Sequence, residues 1–188
     1  MAHTRENSLV KFFGGRFGNM VYRNYDGMSV LSRLPVFKDR KFSKAQKACQ
    51  QRFGKGTVWA HKVRANPELA AYYQSKASKR VNAWNLAISD YLRNPEIAEI
   101  NLEEYHGHKG DTISVSAHDR FRVAAVIVTI LNAQGFEVES GMAVDVPGDH
   151  WIYEAREDNP LWKGGRVSVS AIDFPGNVVR AVETVGSP

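Results

Sequence analysis

The spacing of apolar residues changes at Pro95, and this change constrains the fold more than any other feature of the chain. Before Pro95, apolar residues recur at the helical interval, so that Val81 and Ile88 fall on the same face. After it, apolar and polar residues alternate, as they do along half-buried strands. The chain is therefore predicted to consist of a helical part, residues 1–94, and a β-rich part, residues 95–188.

The β-rich part is predicted to contain seven short strands, separated by turns that contain Gly, Pro, Asn or Asp. Residues 123–131 are apolar on both faces apart from Thr129, which is typical of a central strand. This number and spacing of strands is typical of an immunoglobulin-like sandwich. Cys49 is the only cysteine, so the usual disulfide is absent, and Trp151 or Trp162 is expected to fill the core. The predicted strands are residues 97–105, 112–118, 121–131, 136–145, 150–156, 165–172 and 177–185.

The helical part is predicted to hold a β-hairpin and three helices. Asp26-Gly27 lies between two β-favouring runs, residues 18–25 and 28–34, and is a strong hairpin signal. Asn66-Pro67 is a typical helix start, because asparagine caps free N–H groups and proline suits the first turn. The second and third helices are predicted at residues 69–79 and 81–93.

The first helix is predicted to begin at residues 43–46, where serine and glutamine form a capping box. Ala45, Cys49 and Phe53 fall on one face of it, and Cys49 is expected to be a small buried side chain. Each glycine within residues 54–56 costs about 1 kcal/mol relative to alanine. The helix is therefore expected to kink or break at that point.

Together these patterns predict an α+β chain, in which an N-terminal hairpin and about three helices precede a C-terminal immunoglobulin-like β-sandwich. Residues 171–177 (A-x-D-x-x-G-N) resemble a turn of bacterial immunoglobulin-like modules. Residues 15–23 (G-x-x-G-N-x-V-Y-R), with Asp26-Gly27, Pro35 and residues 43–46 (S-x-A-Q), are similar to a group of uncharacterised bacterial proteins. Those proteins join a basic hairpin and helical segment to a β-rich tail. The resemblance implies a structural or interaction role and no enzyme activity.

Charge is distributed unevenly along the chain, although the net charge is only +5. Residues 1–80 contain 17 Lys and Arg and 4 Asp and Glu, whereas residues 81–188 contain 8 and 16. Three interpretations remain open. The two halves attract each other within one molecule, the basic half contacts the acidic half of a neighbouring copy, or the basic half binds nucleic acid.

Two groups of residues are candidates for contact with a partner. The first is a basic face near the first helix, which would contact phosphates or an acidic protein surface, unless it is simply solvated. It comprises Arg40, Lys41, Lys44, Lys47, Lys55 and Lys62. The second is an aromatic surface around the hairpin, which either packs on its own helices or adds to the sheet of a neighbouring copy. It comprises Phe12, Phe13, Phe17, Val21, Tyr22 and Tyr25.

No group of residues predicts catalysis, and no cofactor or small-molecule substrate is expected. His106 and His108 are too few for a stable metal site and are interpreted as part of a solvated turn. Asp119, Asp173 and Asn177 either offer oxygens to calcium or are ordinary turn residues. Glycine-rich residues 14–19 lack the lysine and serine of a phosphate-binding loop.

We therefore expect a non-enzymatic structural protein that self-assembles through its basic N-terminal segment, as a homo-oligomer in a filament, surface layer or virion. The alternative is a nucleic-acid-binding module whose sandwich binds a partner. No apolar run is long enough for a membrane span, and no secretory signal is visible. We expect no membrane insertion and a location in the cytoplasm, in a virion, or outside the cell by a non-classical route.

Overall fold

The computed structural model describes residues 2–4, 14–25, 28–36 and 41–186. The protein is mixed α+β and mostly β, with three helices and three antiparallel sheets. It forms two compact units, one within residues 1–44 and one within residues 45–188. The last helix ends at Tyr91 and the next strand begins at Glu96, so helices give way to strands where the sequence predicts. As a division into domains, the boundary between residues 94 and 95 stays a prediction.

The first unit contains a four-stranded sheet in the order β1-β4-β3-β2. The predicted hairpin is confirmed, since β3 pairs antiparallel with β4 and Tyr25 lies opposite Met28. Its turn, Asp26-Gly27, lies outside the described residues. Sequence reasoning missed the two short outer strands. The four strands are β1 (Ala2–Thr4), β2 (Gly15–Phe17), β3 (Met20–Tyr25) and β4 (Met28–Arg33).

Three helices follow, and their starts agree with the capping residues in the sequence. The side-chain oxygen of Asn66 accepts hydrogen bonds from the backbone N–H groups of Glu68 and Leu69, at 3.0 and 3.2 Å. Asn82 caps the third helix in the same way, accepting from the N–H of Asn85 at 2.9 Å. The helices are α1 (Lys44–Ala65), α2 (Pro67–Ser75) and α3 (Ala83–Tyr91). Among the described residues, no helix is both long and apolar enough to cross a membrane.

The kink predicted in α1 is wrong, because this helix continues unbroken through both glycines to Ala65. Gly56 is buried, and a Cβ at this position would lie only 3.3 Å from Cγ2 of Ile88 on α3. The glycine therefore lets α3 pack closely against α1. The energy gained from that packing offsets the poor helix propensity of glycine.

The burial predicted for Cys49 is also wrong, because its side chain is exposed. Ala45 and Phe53, which share its face, are exposed as well. The buried residues of α1 are instead Gly56, Ala60 and Val63, near the C-terminal end of the helix. Residues 44–55 are exposed throughout. The apolar stripe in the first half of this helix is therefore not packed on a core.

The β-rich part forms two four-stranded sheets, in the orders β5-β6-β10-β9 and β12-β11-β7-β8. The predicted strand 136–145 is two strands, because the chain passes from one sheet to the other at the buried Ala143. On either side of it, β8 pairs with β7 and β9 pairs with β10. The strands are β5 (Glu96–Asn101), β6 (Thr112–His118), β7 (Val123–Leu131), β8 (Glu137–Met142), β9 (Val144–Val146), β10 (His150–Glu154), β11 (Arg166–Asp173) and β12 (Val178–Thr184).

Alternate side chains of both sheets form one apolar core, an arrangement consistent with a β-sandwich. The strand predicted to be central, β7, does have a neighbour on each side, β8 and β11. Val126, Val128 and Ile130 on this strand are fully buried. Trp151 is part of the core, as expected, whereas Trp162 is only partly buried and packs against it.

A second apolar cluster lies between the three helices and includes the fully buried Tyr73. Phe121, from the β6–β7 connection, packs against this cluster. Tyr72 donates a hydrogen bond to the carbonyl of Phe121 at 2.7 Å and contacts the ring of Phe174, which follows β11. The helices are therefore attached to the end of the sheets at which β6 and β11 finish.

We expect Asn66→Ala to lower the free energy of unfolding by about 1 kcal/mol, because two N–H groups of α2 lose their acceptor. Urea unfolding monitored by circular dichroism measures the change. Asn94→Ala is a matched control at an exposed position outside the helices, where little change is expected. Equal losses in the two variants would contradict a capping role for Asn66.

Candidate functional site

Helix α1 is strongly basic. This helix of 22 residues contains six basic residues and no acidic one. Lys44 and Lys47 lie in or near its first turn, where the positive end of the helix dipole disfavours cations. Like charges on one helix also repel each other. The helix therefore presents a cationic surface that a nearby anion would stabilise.

The structure brings most of the predicted basic residues together on α1. Lys44, Lys47, Lys55 and Lys62 recur near multiples of the helical turn, and all four are exposed. Lys41 is also exposed but precedes the helix, and Arg40 lies outside the described residues. We refer to the four lysines on α1 as the basic face.

Two apolar side chains on α1 are exposed beside these charges. Phe53 is 51% exposed and Val58 is 57% exposed. Val58 lies one turn from Lys55 and Lys62, within the same helical stripe. The exposed surface of this half of the helix and its continuation is therefore not purely polar, since apolar side chains lie among the lysines.

Two arginines of α1 have structural contacts that sequence reasoning missed. Arg52 donates a hydrogen bond to the carbonyl of Leu92 at 2.9 Å, next to the end of α3. The guanidinium of Arg64 lies 5.8 Å from the ring centre of Trp84. These contacts attach α1 to α3, so substitutions intended to remove only surface charge should avoid both arginines.

The predicted aromatic surface is described only in part. Phe17 is 80% exposed, and Val21 and Tyr22 are half-buried. Phe12, Phe13 and the side chain of Tyr25 lie outside the described residues. Phe17 ends β2, an edge strand that pairs only with β3 among the described strands. The structure therefore places the exposed ring of Phe17 on the edge strand of a four-stranded sheet.

The candidate calcium residues are also brought together in part. Carboxylate oxygens of Asp119 and Asp173 lie within 4.8 Å of each other and of Asp90, which the sequence analysis missed. The amide nitrogen of Asn177 donates to Oδ2 of Asp173 at 2.7 Å, so this residue supports the carboxylate. His106 is exposed, and its backbone N–H bonds to Asp111 at 2.7 Å, as expected of a solvated turn.

Burial and crowding change the acidity of this aspartate cluster. Burial is the largest influence on Asp90 and raises its pKa to about 7; the hydrogen bond from Tyr73 lowers the pKa, and the charges of Asp119 and Asp173 raise it. Burial also raises the pKa of Asp173, while hydrogen bonds from Asn177 oppose that shift. Burial, followed by the bond to Asp90, raises the pKa of the Tyr73 hydroxyl.

No protein-family model matches this chain, and a search of curated proteins gives no match. The functional interpretation therefore depends on the geometry and charge of the described residues.

Proposed function

We propose that this chain is a non-enzymatic structural protein that self-assembles through its basic N-terminal segment and displays an immunoglobulin-like sandwich. The observation that carries the proposal is the basic face of α1, exposed together with Phe53 and Val58 and accompanied by no acidic residue. A filament, a surface layer and a virion component are the forms of assembly that we consider.

Charge complementarity within one chain supports a contact between copies. Residues 81–188 contain twice as many acidic as basic residues, 16 against 8. The basic face of one copy and the acidic part of the next would attract each other and orient the contact. A contact between two different surfaces repeats from copy to copy, and it produces a filament unless the rotation closes a ring.

The edge strand β2 provides a second element that favours assembly. A strand at the edge of a sheet has backbone groups that can pair with another chain. Phe17 on this strand is 80% exposed, and it lines an open apolar hollow together with Met20 and Tyr22. Pairing with a second copy would cover the ring of Phe17.

The immunoglobulin-like assignment is supported by the two four-stranded antiparallel sheets that share one apolar core. The passage of the chain between sheets at Ala143 also fits a sandwich of this type.

Light scattering after size exclusion tests the proposed assembly. The native protein is expected to form particles several times the 21.1 kDa monomer in about 50 mM NaCl and to dissociate in about 0.5 M NaCl, because salt screens exposed charges. The double variant Lys44→Glu/Lys55→Glu is expected to remain monomeric at both salt concentrations. Lys79→Glu/Lys109→Glu makes the same change of net charge away from α1 and should still assemble. A native protein that is monomeric in low salt would contradict the proposal.

The unbroken cationic character of α1 also favours a second candidate function, nucleic-acid binding. Lysines that neutralise phosphates release counterions, so affinity would fall steeply as salt increases, with a slope set by the number of phosphates contacted. The ratio of absorbance at 260 and 280 nm in the same experiment separates the two functions. Small particles that carry nucleic acid until salt removes it would favour this candidate over self-assembly.

A further inference from the structure

Three aspartates converge where the helices meet the ends of the sheets. Asp90 lies in the last turn of α3, Asp119 lies in the connection from β6 to β7, and Asp173 is the last residue of β11. One carboxylate oxygen from each lies within 4.8 Å of the others. Asp90 is 1% exposed, Asp173 is 2% exposed, and Asp119 is half-buried. The cluster therefore has two buried members and one that reaches solvent.

Asp90 has a vacant acceptor in this buried position. Its Oδ2 accepts a hydrogen bond from the hydroxyl of Tyr73, whereas its Oδ1 is buried and has no hydrogen-bond partner among the described residues. An unpartnered buried carboxylate oxygen is costly, because it has lost water without gaining a donor. A bound cation would supply the missing interaction.

The charges around Asp90 also favour a bound cation. Among the described residues, the charges that raise the pKa of Asp90 are those of Asp119 and Asp173, both acidic. Burial raises the pKa of Tyr72 and the charge of Arg122 lowers it; this arginine lies 3.8 Å from Asp145. Asp90 also lies at the C-terminal end of α3, where the helix dipole disfavours a negative charge. Three carboxylates this close require protons or a cation to offset their repulsion.

We propose that Asp90, Asp119 and Asp173 bind a calcium ion. Calcium prefers carboxylate oxygens and binds them at 2.3–2.6 Å, so two ligands of one ion can be separated by up to about 5 Å. The separations in this cluster fall within that limit. Magnesium requires a stricter geometry and gives up its bound waters reluctantly, which favours calcium where two of the carboxylates are buried. The half-buried Asp119 gives the ion a route from solvent, and water would complete its coordination.

Each carboxylate is oriented by a neighbour that leaves lone pairs for the ion. Tyr73 donates to Asp90, and the N–H of Phe121 donates to Asp119 at 2.8 Å. Asn177 donates to both oxygens of Asp173, from its backbone at 2.6 Å and from its side chain at 2.7 Å. Outer contacts of this kind commonly fix the ligands of metal sites. A bound ion would join α3 to the ends of β6 and β11 and hold the helices on the sheets.

Thermal unfolding of the full chain, stripped with EDTA and measured near pH 7.5, provides the first test. About 5 mM CaCl2 is expected to raise the Tm by several degrees, since an ion that binds only the folded state stabilises it. MgCl2 at the same concentration and NaCl at the same ionic strength should raise it much less. Equal shifts with CaCl2 and NaCl, or with CaCl2 and MgCl2, would overturn the calcium assignment.

Terbium luminescence provides a second test that is independent of stability. Terbium is a trivalent substitute for calcium, and light absorbed by Tyr73 would be transferred to an ion held by Asp90. Excitation of the aromatic residues is expected to produce terbium emission that CaCl2 abolishes. Emission that CaCl2 does not displace would overturn the proposal.

Substitutions locate the ion. Asp119→Asn is the preferred variant, because Asp119 is half-buried and its amide replacement can still accept from Phe121. It is expected to weaken calcium binding at least about tenfold. Asp158→Asn is the matched control at the other end of β6, where Oδ1 accepts from the N–H of Lys109 at 2.8 Å. Equal calcium affinities in the two variants would overturn the proposal, whatever the outcome of the assembly experiment.

Discussion

In the presence of EDTA at pH 8, Asp90→Asn is expected to be more stable than the native protein. Asp90 is 1% exposed, and burial raises its pKa from the ordinary 3.8 to about 7. The folded state therefore binds the proton more tightly than the unfolded state. Stability from this group is fully present below about pH 4 and is lost as the pH rises to about 7. At pH 8 the native protein must keep a buried charge, which the amide does not carry.

The gain for Asp90→Asn is expected to be on the order of a few kcal/mol at pH 8 and to vanish near pH 4. Urea unfolding at several pH values measures it, and Asp158→Asn is the control for the loss of one carboxylate at an exposed position. With calcium at pH 8 the order should reverse, because only the native cluster retains all three ligands. A variant that is less stable than the native protein at pH 8 in EDTA would contradict this account of Asp90.

Gly165→Ala is expected to lower the free energy of unfolding by about 3 kcal/mol or more. A Cβ at Gly165 would lie 2.5 Å from the carbonyl oxygen of Leu131 and 2.8 Å from that of Trp162. Both are backbone atoms, so no side-chain rotation relieves the overlap. Gly165 also bonds through its own carbonyl to the N–H of Val185 at 2.8 Å, which limits how far the backbone can move.

Gly54→Ala is the matched control for this glycine substitution. Gly54 lies in the exposed half of α1, and an added Cβ would meet nothing within 4 Å. Because alanine is the better helix former, this change is expected to stabilise the protein by up to about 1 kcal/mol. Urea unfolding of both variants compares them directly. Similar stabilities for the two would contradict the close backbone approach at Gly165.

Much of the secondary structure could be predicted because its causes are local. Asn66 caps α2 through N–H groups two and three residues away, so the signal lies within one turn. The apolar character of residues 123–131 predicts a central strand, and β7 does have a neighbouring strand on each side. Such signals need no knowledge of which distant segments meet.

The errors arose where a local pattern could not show which distant elements pack together. Gly56 disfavours a helix locally, yet it allows α3 to approach α1, and the helix continues. Cys49 lies on an apolar stripe, but its side chain and the rest of residues 44–55 are exposed. The alternation along residues 136–145 gives no sign that two different sheets share the segment.

Of the candidate sites, too, only the part that depends on local sequence could be predicted. The basic face could be read from the sequence alone, because lysines repeated along one helix share a face through helical geometry. Asp119 and Asp173 were candidate ligands as residues of turns. Asp90 was missed because it lies in a helix, and its only local signal is a carboxylate at the unfavourable end of the helix dipole.

By itself, the sequence determined that the helices precede the β-rich part, that charge is unevenly distributed and that α1 has a cationic surface, since each depends on residues close together in the chain. Only the tertiary structure decided which oxygens meet around Asp90. The three carboxylates of the cluster come from a helix, a loop and the end of a strand, which are far apart in sequence. The packing of the helices on the sheets brings these carboxylates together. That packing is stabilised by the burial of apolar side chains from the helices and the sheets.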